Sequence, residues 1–258
     1  MHETPPRLEP PIVLSVIVPV LHEAATINEH VDHVKKTAAT MTSVSLEIVI
    51  VDPAGDTLAA LADRHADVVR AQSRSGRARQ MNAGAEAASG EILLFLHADT
   101  RLPDGGLQLV ADTLGPAVAA ARLGEGADGL SEAGAFTLAF ADGGLVLKLF
   151  ALGGGLRNRL TRTPYGDQAQ FFTARLFREL GGYPDIPLME DVAIMHALNR
   201  TGRRPAILPA SVRTSTRRYR EQGVLYAGVR NNILRLLYGV GVPAHKLATH
   251  YRRKGARA

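Results

Sequence analysis

Four short apolar runs punctuate the first hundred residues. Leu14 to Val18 stops at Pro19, Leu46 to Val51 stops at Asp52-Pro53, and Ile92 to Leu96 stops at His97-Ala98-Asp99. Val68 to Ala71 is a weaker fourth run. Continuous runs of this length suit strands buried on both faces of a parallel sheet. The segments between them carry helical spacing. Ile27, Val31, Val34, Ala38 and Met41 share one face, preceded by a Thr26/Glu29 capping-box pattern. Leu58, Leu61, Ala62 and His65 make a second stripe. Ala78, Met81, Ala85 and Ala88 make a third, with Gly90 as its stop. The order β-α-β-α-β-α-β predicts an α/β fold with right-handed crossovers and an open, mostly parallel twisted sheet flanked by helices.

The second half is less regular. Ala135 to Phe140 and Gln170 to Thr173 read as strands. Ala174 to Leu180 reads as a short helix ended by Gly181-Gly182, and another helix starts near Asp191. Val224 to Val240 reads as a longer amphipathic helix with Leu225, Val229, Asn232, Ile233 and Leu236 on one face. The expected organisation is a tail over 1–11, one domain over 12–240 and a basic tail over 241–258. The domain divides into a ligand-binding half, 12–103, and a half that completes it, 104–240.

Composition narrows the chemistry. With no cysteine, disulfides, thiolate nucleophiles and Cys-ligated metals are excluded. The N-terminus lacks the layout of a secretory signal, and no apolar stretch reaches the roughly 18 residues of a membrane span. A cytoplasmic site is therefore expected. The net charge of +5, with arginines concentrated after residue 156, fits either an anionic partner or a solvated basic surface. Seven Phe, six Tyr and no Trp argue against base-stacking platforms, so no nucleic-acid partner is expected. Leu145 to Leu152, followed by Arg157, Arg159 and Arg162, allows peripheral contact with an anionic membrane as well as a buried helix.

In an open parallel sheet, ligands bind outside the C-terminal strand ends. Here those ends carry Pro19 to Glu23, Asp52, and His97 with Asp99. A single carboxylate at a strand tip is often only a turn residue; three at one edge point to a site. No GxGxxG or GxxxxGK[ST] run is present, so an ordinary dinucleotide fold and a P-loop are both disfavoured.

Four segments, VIVPVLHEAATI, EIVIVDPAGDT, GRARQMNAGAEAASGEILLFLHADT and GDQAQFFTARLFRELGGYPDIPLMEDVAI, resemble in order the motifs of family 2 glycosyltransferases of the GT-A fold. The resemblance runs from about residue 12 to about 240. The GDQ, MEDVAI and RRYREQG blocks resemble a compact bacterial subfamily linked to arsenosugar biosynthesis.

The resemblance implies an inverting transfer from a nucleotide-sugar donor to a hydroxyl acceptor, small or lipid-linked, assisted by a divalent metal, Mn²⁺ or Mg²⁺. It implies that Pro19, Glu23 and Asp52 lie at the donor base and ribose. Arg77 and Asn82 line the diphosphate, and Asp99 is the last aspartate of the metal-binding DxD motif. Asp191 is the catalytic base of the ED motif. Gly166, Asp167, Gln168 and Glu190 fall on the acceptor or donor-sugar side, with Arg217 and Arg218 near the diphosphate. Two departures stand out. Asp52-Pro53 replaces an aspartate pair, and His97 occupies the first DxD position, where hard cations prefer oxygen.

The residue chemistry agrees with this picture. A metal on Asp99 neutralises a departing diphosphate, and Arg74, Arg77 and Arg79 offer bidentate phosphate contacts. Asn82 has poor propensity within a helix, which suggests a functional role. The helix dipole keeps an acid at position 191 ionised. The other classes considered are a nucleotidyltransferase on a related fold, whose basic Gly-rich loop PVLHEAA does not provide, and a non-catalytic binder of anionic ligands.

Overall fold

The computed structural model describes residues 10–42, 44–140, 153–155, 157–158, 160–214 and 224–253. The four early runs are strands: β1 Ile12–Pro19, β2 Val44–Val51, β3 Val69–Ala71 and β4 Ile92–Phe95. A two-residue β5, Thr100–Arg101, follows β4, and β6 Ala133–Phe140, β7 Phe171–Thr173 and β8 Ala206–Thr214 come from the second half. The strand order is β3-β2-β1-β4-β7-β6-β8-β5.

Among β1 to β4 every pairing is parallel. Beyond β4 the sheet is mixed: β4 with β7, β7 with β6 and β8 with β5 are antiparallel, and only β6 with β8 is parallel. The sheet is mixed, yet four of its seven pairings are parallel, as the expected mostly parallel sheet requires. The antiparallel β7 matters for the site. Its entry end lies beside the exit end of β4, with Leu94 opposite Phe171 and Phe95 N–H donating to Gln170 C=O.

Alternation along the strands builds a core on each face of the sheet. Val16 and Val18 of β1, with Ile48 and Ile50 of β2, face helices α1 (Ile27–Ala38) and α4 (Gly106–Arg122). Ile17, Val49 and Val51 face α3 (Arg77–Ala87), α5 (Ala174–Glu179) and α6 (Glu190–Arg200). Each buried Val, Leu or Ile contributes about 1.5–3 kcal/mol, so the double-faced packing fixes the strand tips firmly. Gly84 allows α3 to sit close. A Cβ there would lie 2.4 Å from Ile17 Cγ2 and 2.9 Å from Val51 Cγ2. A third, smaller cluster of Met189, Val192, Leu234 and Leu247 joins α6 to α7 (Val224–Gly239) and α8 (Ala244–Arg253).

Several local expectations change. The capping box at α1 does not form. Thr26 Oγ donates instead to Glu23 Oε2 at 3.1 Å, and Glu29 pairs with Arg101. The second helical stripe breaks into the four-residue α2 (Asp56–Ala59) and a 3₁₀ turn at Asp63–His65. Asn28 of α1 explains the break: its amide donates to Ala60 C=O at 2.9 Å and accepts from Ala62 N–H at 2.8 Å. Those are backbone groups that a continuing helix would use itself. Helix α3 ends at Ala87, and Gly90 serves close packing instead, its N–H donating to Ser15 Oγ at 3.0 Å. Residues 244–253, expected as basic tail, form α8, which buries Leu247 and Ala248.

Helix α4 and strand β8 were not anticipated from the pattern. Gly115-Pro116 interrupts α4's helical composition, and Pro209 sits where β8 slips register against Phe136/Thr137, the kind of bulge at which a strand tolerates proline. The apolar side of α7 is not core: Val229, Ile233, Leu236 and Val240 are exposed. No helix among the described residues is long and apolar enough to cross a membrane.

Candidate active site

Because β1, β2 and β4 are parallel neighbours, their exits share one edge, and the switch in strand order falls at β1, between β2 and β4. Val20 N–H donates to Val51 C=O, and Gln80 Nε2 of α3 ties both strand ends together through Val20 C=O at 2.7 Å and Val51 C=O at 3.2 Å. Pro19 and Glu23 are half-buried there, and the Glu23 N–H donates to Thr57 Oγ at 3.0 Å. His22 adopts φ +58° beside Glu23, with Nδ1 2.9 Å from Asp56 Oδ2. Its hydrogen bond to Asp56 raises the imidazole pKa.

Asp52 occupies the expected tip but has no exposed surface. Its Oδ1 accepts from Ala54 N–H at 3.0 Å; its Oδ2 accepts from Thr57 N–H at 2.9 Å and Leu58 N–H at 3.0 Å. The carboxylate caps α2 and has no face left for a ligand. Asp99, in contrast, is exposed just beyond β4, with His97 half-buried two residues before it.

The entry to β7 brings the second half to the same edge. A 3₁₀ turn, Gly166–Gln168, packs against the N-terminus of α6. Gly166 N–H donates to Asp191 Oδ2 at 2.6 Å, and Val192 N–H donates to Oδ1 at 2.8 Å. A Cβ at Gly166 would lie 3.3 Å from both the Asp191 Cβ and Oδ2, so a side chain there would push Asp191 aside by a few tenths of an ångström. Met189, immediately before α6, sits at φ +70°, an unusual conformation for a non-glycine residue of the kind that collects at functional sites.

Two glutamines hold the arrangement. Gln168, 2% exposed, accepts from Tyr165 N–H at 2.9 Å and Asn158 Nδ2 at 2.8 Å, and donates to Phe136 C=O at 2.9 Å. Gln170, fully buried, donates to Pro164 C=O at 3.0 Å and Asp191 C=O at 3.1 Å, and accepts from Tyr183 Oη at 2.9 Å. Tyr183 is in turn clamped by Asn82, whose amide exchanges two hydrogen bonds with its backbone at 2.8 and 2.9 Å. Asn82 and Gln168, expected at ligands, are therefore internal supports of the Asp191 backbone and of the turn beside it. Gln170 was not singled out from sequence; its only signal is the repeated glutamine of GDQAQ.

Charge is concentrated here. Glu190 is 3% exposed, with Arg77 Nη1 3.5 Å from its Oε1. Burial, then the neighbouring Asp191 charge, raises the Glu190 pKa against the pull of Arg77. Asp167 is half-buried, and its carboxyl is pushed up to about 6 by burial first and by Asp191 next, with Asp99 adding a smaller push. Arg79 is committed to Asp185 at 2.8 Å. Asp99, Asp167, Glu190, Asp191 and Arg77 thus form one electrostatic unit. Arg217 and Arg218 lie outside the described residues, as does the 145–152 patch.

No group of three or more metal-binding side chains exists among the described residues. The exposed Asp99 could offer a hard divalent cation one oxygen ligand, and such an ion would need further oxygens from outside the protein.

Residues 15–124 match the glycosyl transferase family 2 model. That stretch runs from β1 through α4 and contains the strand tips described above. Over that stretch, and in its fold, the chain is similar to family 2 glycosyltransferases. The chain is similar to mannosyltransferase PcManGT from Pyrobaculum calidifontis, solved with GDP-Man and Mn²⁺, at 24% identity and a TM-score of 0.52, over 80% of this chain and 56% of that one. It is similar to TarS of S. aureus in complex with UDP-GlcNAc at 18% identity and a TM-score of 0.59, over 80% and 59%. A third similar structure is glucosyl-3-phosphoglycerate synthase from Mycobacterium tuberculosis with Mn²⁺, UDP and phosphoglyceric acid, at 19% identity and a TM-score of 0.55, over 90% and 80%. The chain spans little more than half the length of the first two, and at these identities the likeness is one of GT-A fold. No curated protein matches the sequence.

Proposed function

We propose that this protein transfers a sugar from a nucleoside-diphosphate donor to a hydroxyl acceptor with inversion, and that Asp191 is the base. The observation that carries the reading is the Asp191 carboxylate itself. Two backbone N–H groups hold it at a helix N-terminus, against a glycine that leaves it room, on the same sheet edge as Asp99. Both oxygens keep a lone pair free. Asp191 takes the acceptor proton as the oxygen attacks the anomeric carbon from the face opposite the nucleotide; positioned base help of this kind is worth about 10²–10⁴-fold. Glu23 and the β1 exit bind the nucleoside end. Arg77, balanced by Glu190, presents its remaining N–H groups to phosphate. A divalent cation held between Asp99 and the diphosphate would supply charge neutralisation to the leaving group; neighbours crystallised with Mn²⁺ support this part.

The GDQ and MEDVAI blocks, which resemble the arsenosugar-linked subfamily, both fall at this centre. A lipid-linked acceptor reached by peripheral membrane contact belongs to the same proposal, supported by the exposed apolar side of α7.

A thermal-shift panel of UDP- and GDP-sugars with and without Mn²⁺ tests the reading. A donor that binds the folded state raises the melting temperature, by an amount that grows with the ratio of its concentration to Kd. No shift with any nucleotide sugar would overturn it.

A further inference from the structure

Two arginines gather on the ring of Tyr165, next to the turn that holds Asp191. Arg157 stacks its guanidinium 3.9 Å above the Tyr165 ring, and the Arg235 guanidinium of α7 lies 5.7 Å from the same ring centroid. Tyr165 directly precedes Gly166, whose N–H holds the Asp191 carboxylate. The two arginines therefore sit one residue away from the contact that positions the proposed base.

Neither arginine has a carboxylate partner among the described residues. Arg157 donates to Asn158 Oδ1 at 2.9 Å and Asn232 Oδ1 at 3.4 Å. Arg235 donates to Thr161 Oγ at 2.8 Å and to Thr163 Oγ. These partners are all neutral. Asn158 is fully buried and fixed by Gln168, so the Arg157 fork rests on a built support. Arg157 Nε and the Tyr165 hydroxyl are buried without a hydrogen-bond partner, donors that folding leaves unsatisfied.

The sequence strengthens the imbalance. Residues 143–166 hold four Lys/Arg and no Asp or Glu, and residues 222–258 hold seven and none. Two guanidiniums around one ring, with no carboxylate in direct contact among the described residues, are set to receive an anion from outside. Burial lowers the Arg157 pKa, and Arg235 lowers it further, while Tyr165, Asp167 and Asp191 oppose them. The charge is thus held in place against its own environment. Asp167 and Asp191 act on Arg157 only as longer-range charges.

We propose that Arg157 and Arg235, with the Tyr165 hydroxyl, form an anion site for the acceptor: the molecule that receives the sugar carries a phosphate or carboxylate. The proposal rests on sugar transfer with Asp191 as base, because that places the site on the acceptor side. Arg grips such oxygens with two parallel bonds, and the Tyr165 hydroxyl donates a third. Docking the anion here brings a hydroxyl of the same molecule to Asp191.

Calorimetric titration with inorganic phosphate and with glycerol 3-phosphate, at low salt, reads the site directly. Wild type is expected to bind both, and R157Q/R235Q to lose at least about tenfold in affinity, about 1.4 kcal/mol. UDP and GDP affinities should stay within about twofold. The single variant Arg157→Lys keeps the charge and loses the fork; it should weaken phosphate several-fold without altering the melting curve, which guards against misfolding of the double variant. Sedimentation with phosphatidic acid vesicles separates the sources: vesicle binding lost in R157Q/R235Q assigns a lipid headgroup, and binding of glycerol 3-phosphate alone assigns a free phosphate. Absence of phosphate binding by wild type, or its retention in the double variant, overturns the proposal. An equal loss of UDP and GDP affinity also overturns it, placing the arginines on the donor diphosphate. If phosphate binds at the arginines but no nucleotide sugar binds anywhere, the sugar-transfer reading fails and the anion site stands.

Discussion

Replacing Asp52 with alanine should destabilise the protein first and affect the nucleotide only through that loss. The carboxylate is fully buried and accepts three backbone N–H groups, from Ala54, Thr57 and Leu58. Ala54 is exposed, so water can replace the lost bond there. Thr57 is fully buried and Leu58 partly so, at the first turn of α2. Leaving those two donors unsatisfied costs about 1–3 kcal/mol each, or about 2–6 kcal/mol together, at or above the usual loss from deleting a helix cap. For a domain of this size that corresponds to a fall in Tm of roughly 4–24 °C. Asp52→Asn keeps one acceptor but turns an NH₂ toward a donor, and should fall between. Thermal unfolding by circular dichroism gives the stability change. Calorimetry with UDP and GDP at 10 °C, where the variant stays folded, gives the affinity, expected within about threefold of wild type. A variant with unchanged Tm and abolished nucleotide binding would refute this reasoning and return Asp52 to the donor base.

Asp191→Asn keeps the side-chain shape and one of the two N–H contacts, the NH₂ then facing the other donor at a cost of about 1–3 kcal/mol; it should still fold and bind donor while transferring sugar at least about a hundredfold more slowly in a steady-state assay. Chelation by EDTA should abolish turnover and Mn²⁺ restore it, and Asp99→Asn should prevent the rescue; full turnover in EDTA would remove the metal from the mechanism. Asp167→Asn should stabilise the unliganded protein at pH 8. The folded-state carboxyl titrates near 6 rather than 3.8, so ionising it opposes folding: the penalty is absent below about pH 4, grows as pH rises to about 6, and is complete above. The rise corresponds to at most about 3 kcal/mol, and melting curves at pH 4 and pH 8 check it. Equal Tm differences at both pH values would show that the carboxyl is not perturbed.

The strand runs, their breakers and the carboxylates after them were legible because buried parallel strands need uninterrupted apolar residues and because ligands collect at their exits. That logic located β1 to β4 and the carboxylates at their exits, Asp99 among them, whereas Glu190 and Asp191 were singled out by the family resemblance. It could not reach roles that depend on long-range partners. Asn82, read as a ligand residue for its poor helix propensity, clamps the Tyr183 backbone 101 residues away. Asp52 ends a strand as expected, but its oxygens are consumed by N–H groups that only the folded turn turns inward. Asn28 cuts a helix that its own stripe predicts, by taking backbone groups from 32 and 34 residues away. The antiparallel return of β7 carries Gly166 to Asp191, and the packing of α7 sets Arg235 beside Arg157. Periodicity records which face a residue shows to the core. Whether a polar side chain there serves the backbone or a ligand depends on which hydrogen-bonding groups from distant segments arrive beside it, and only the tertiary structure decides that.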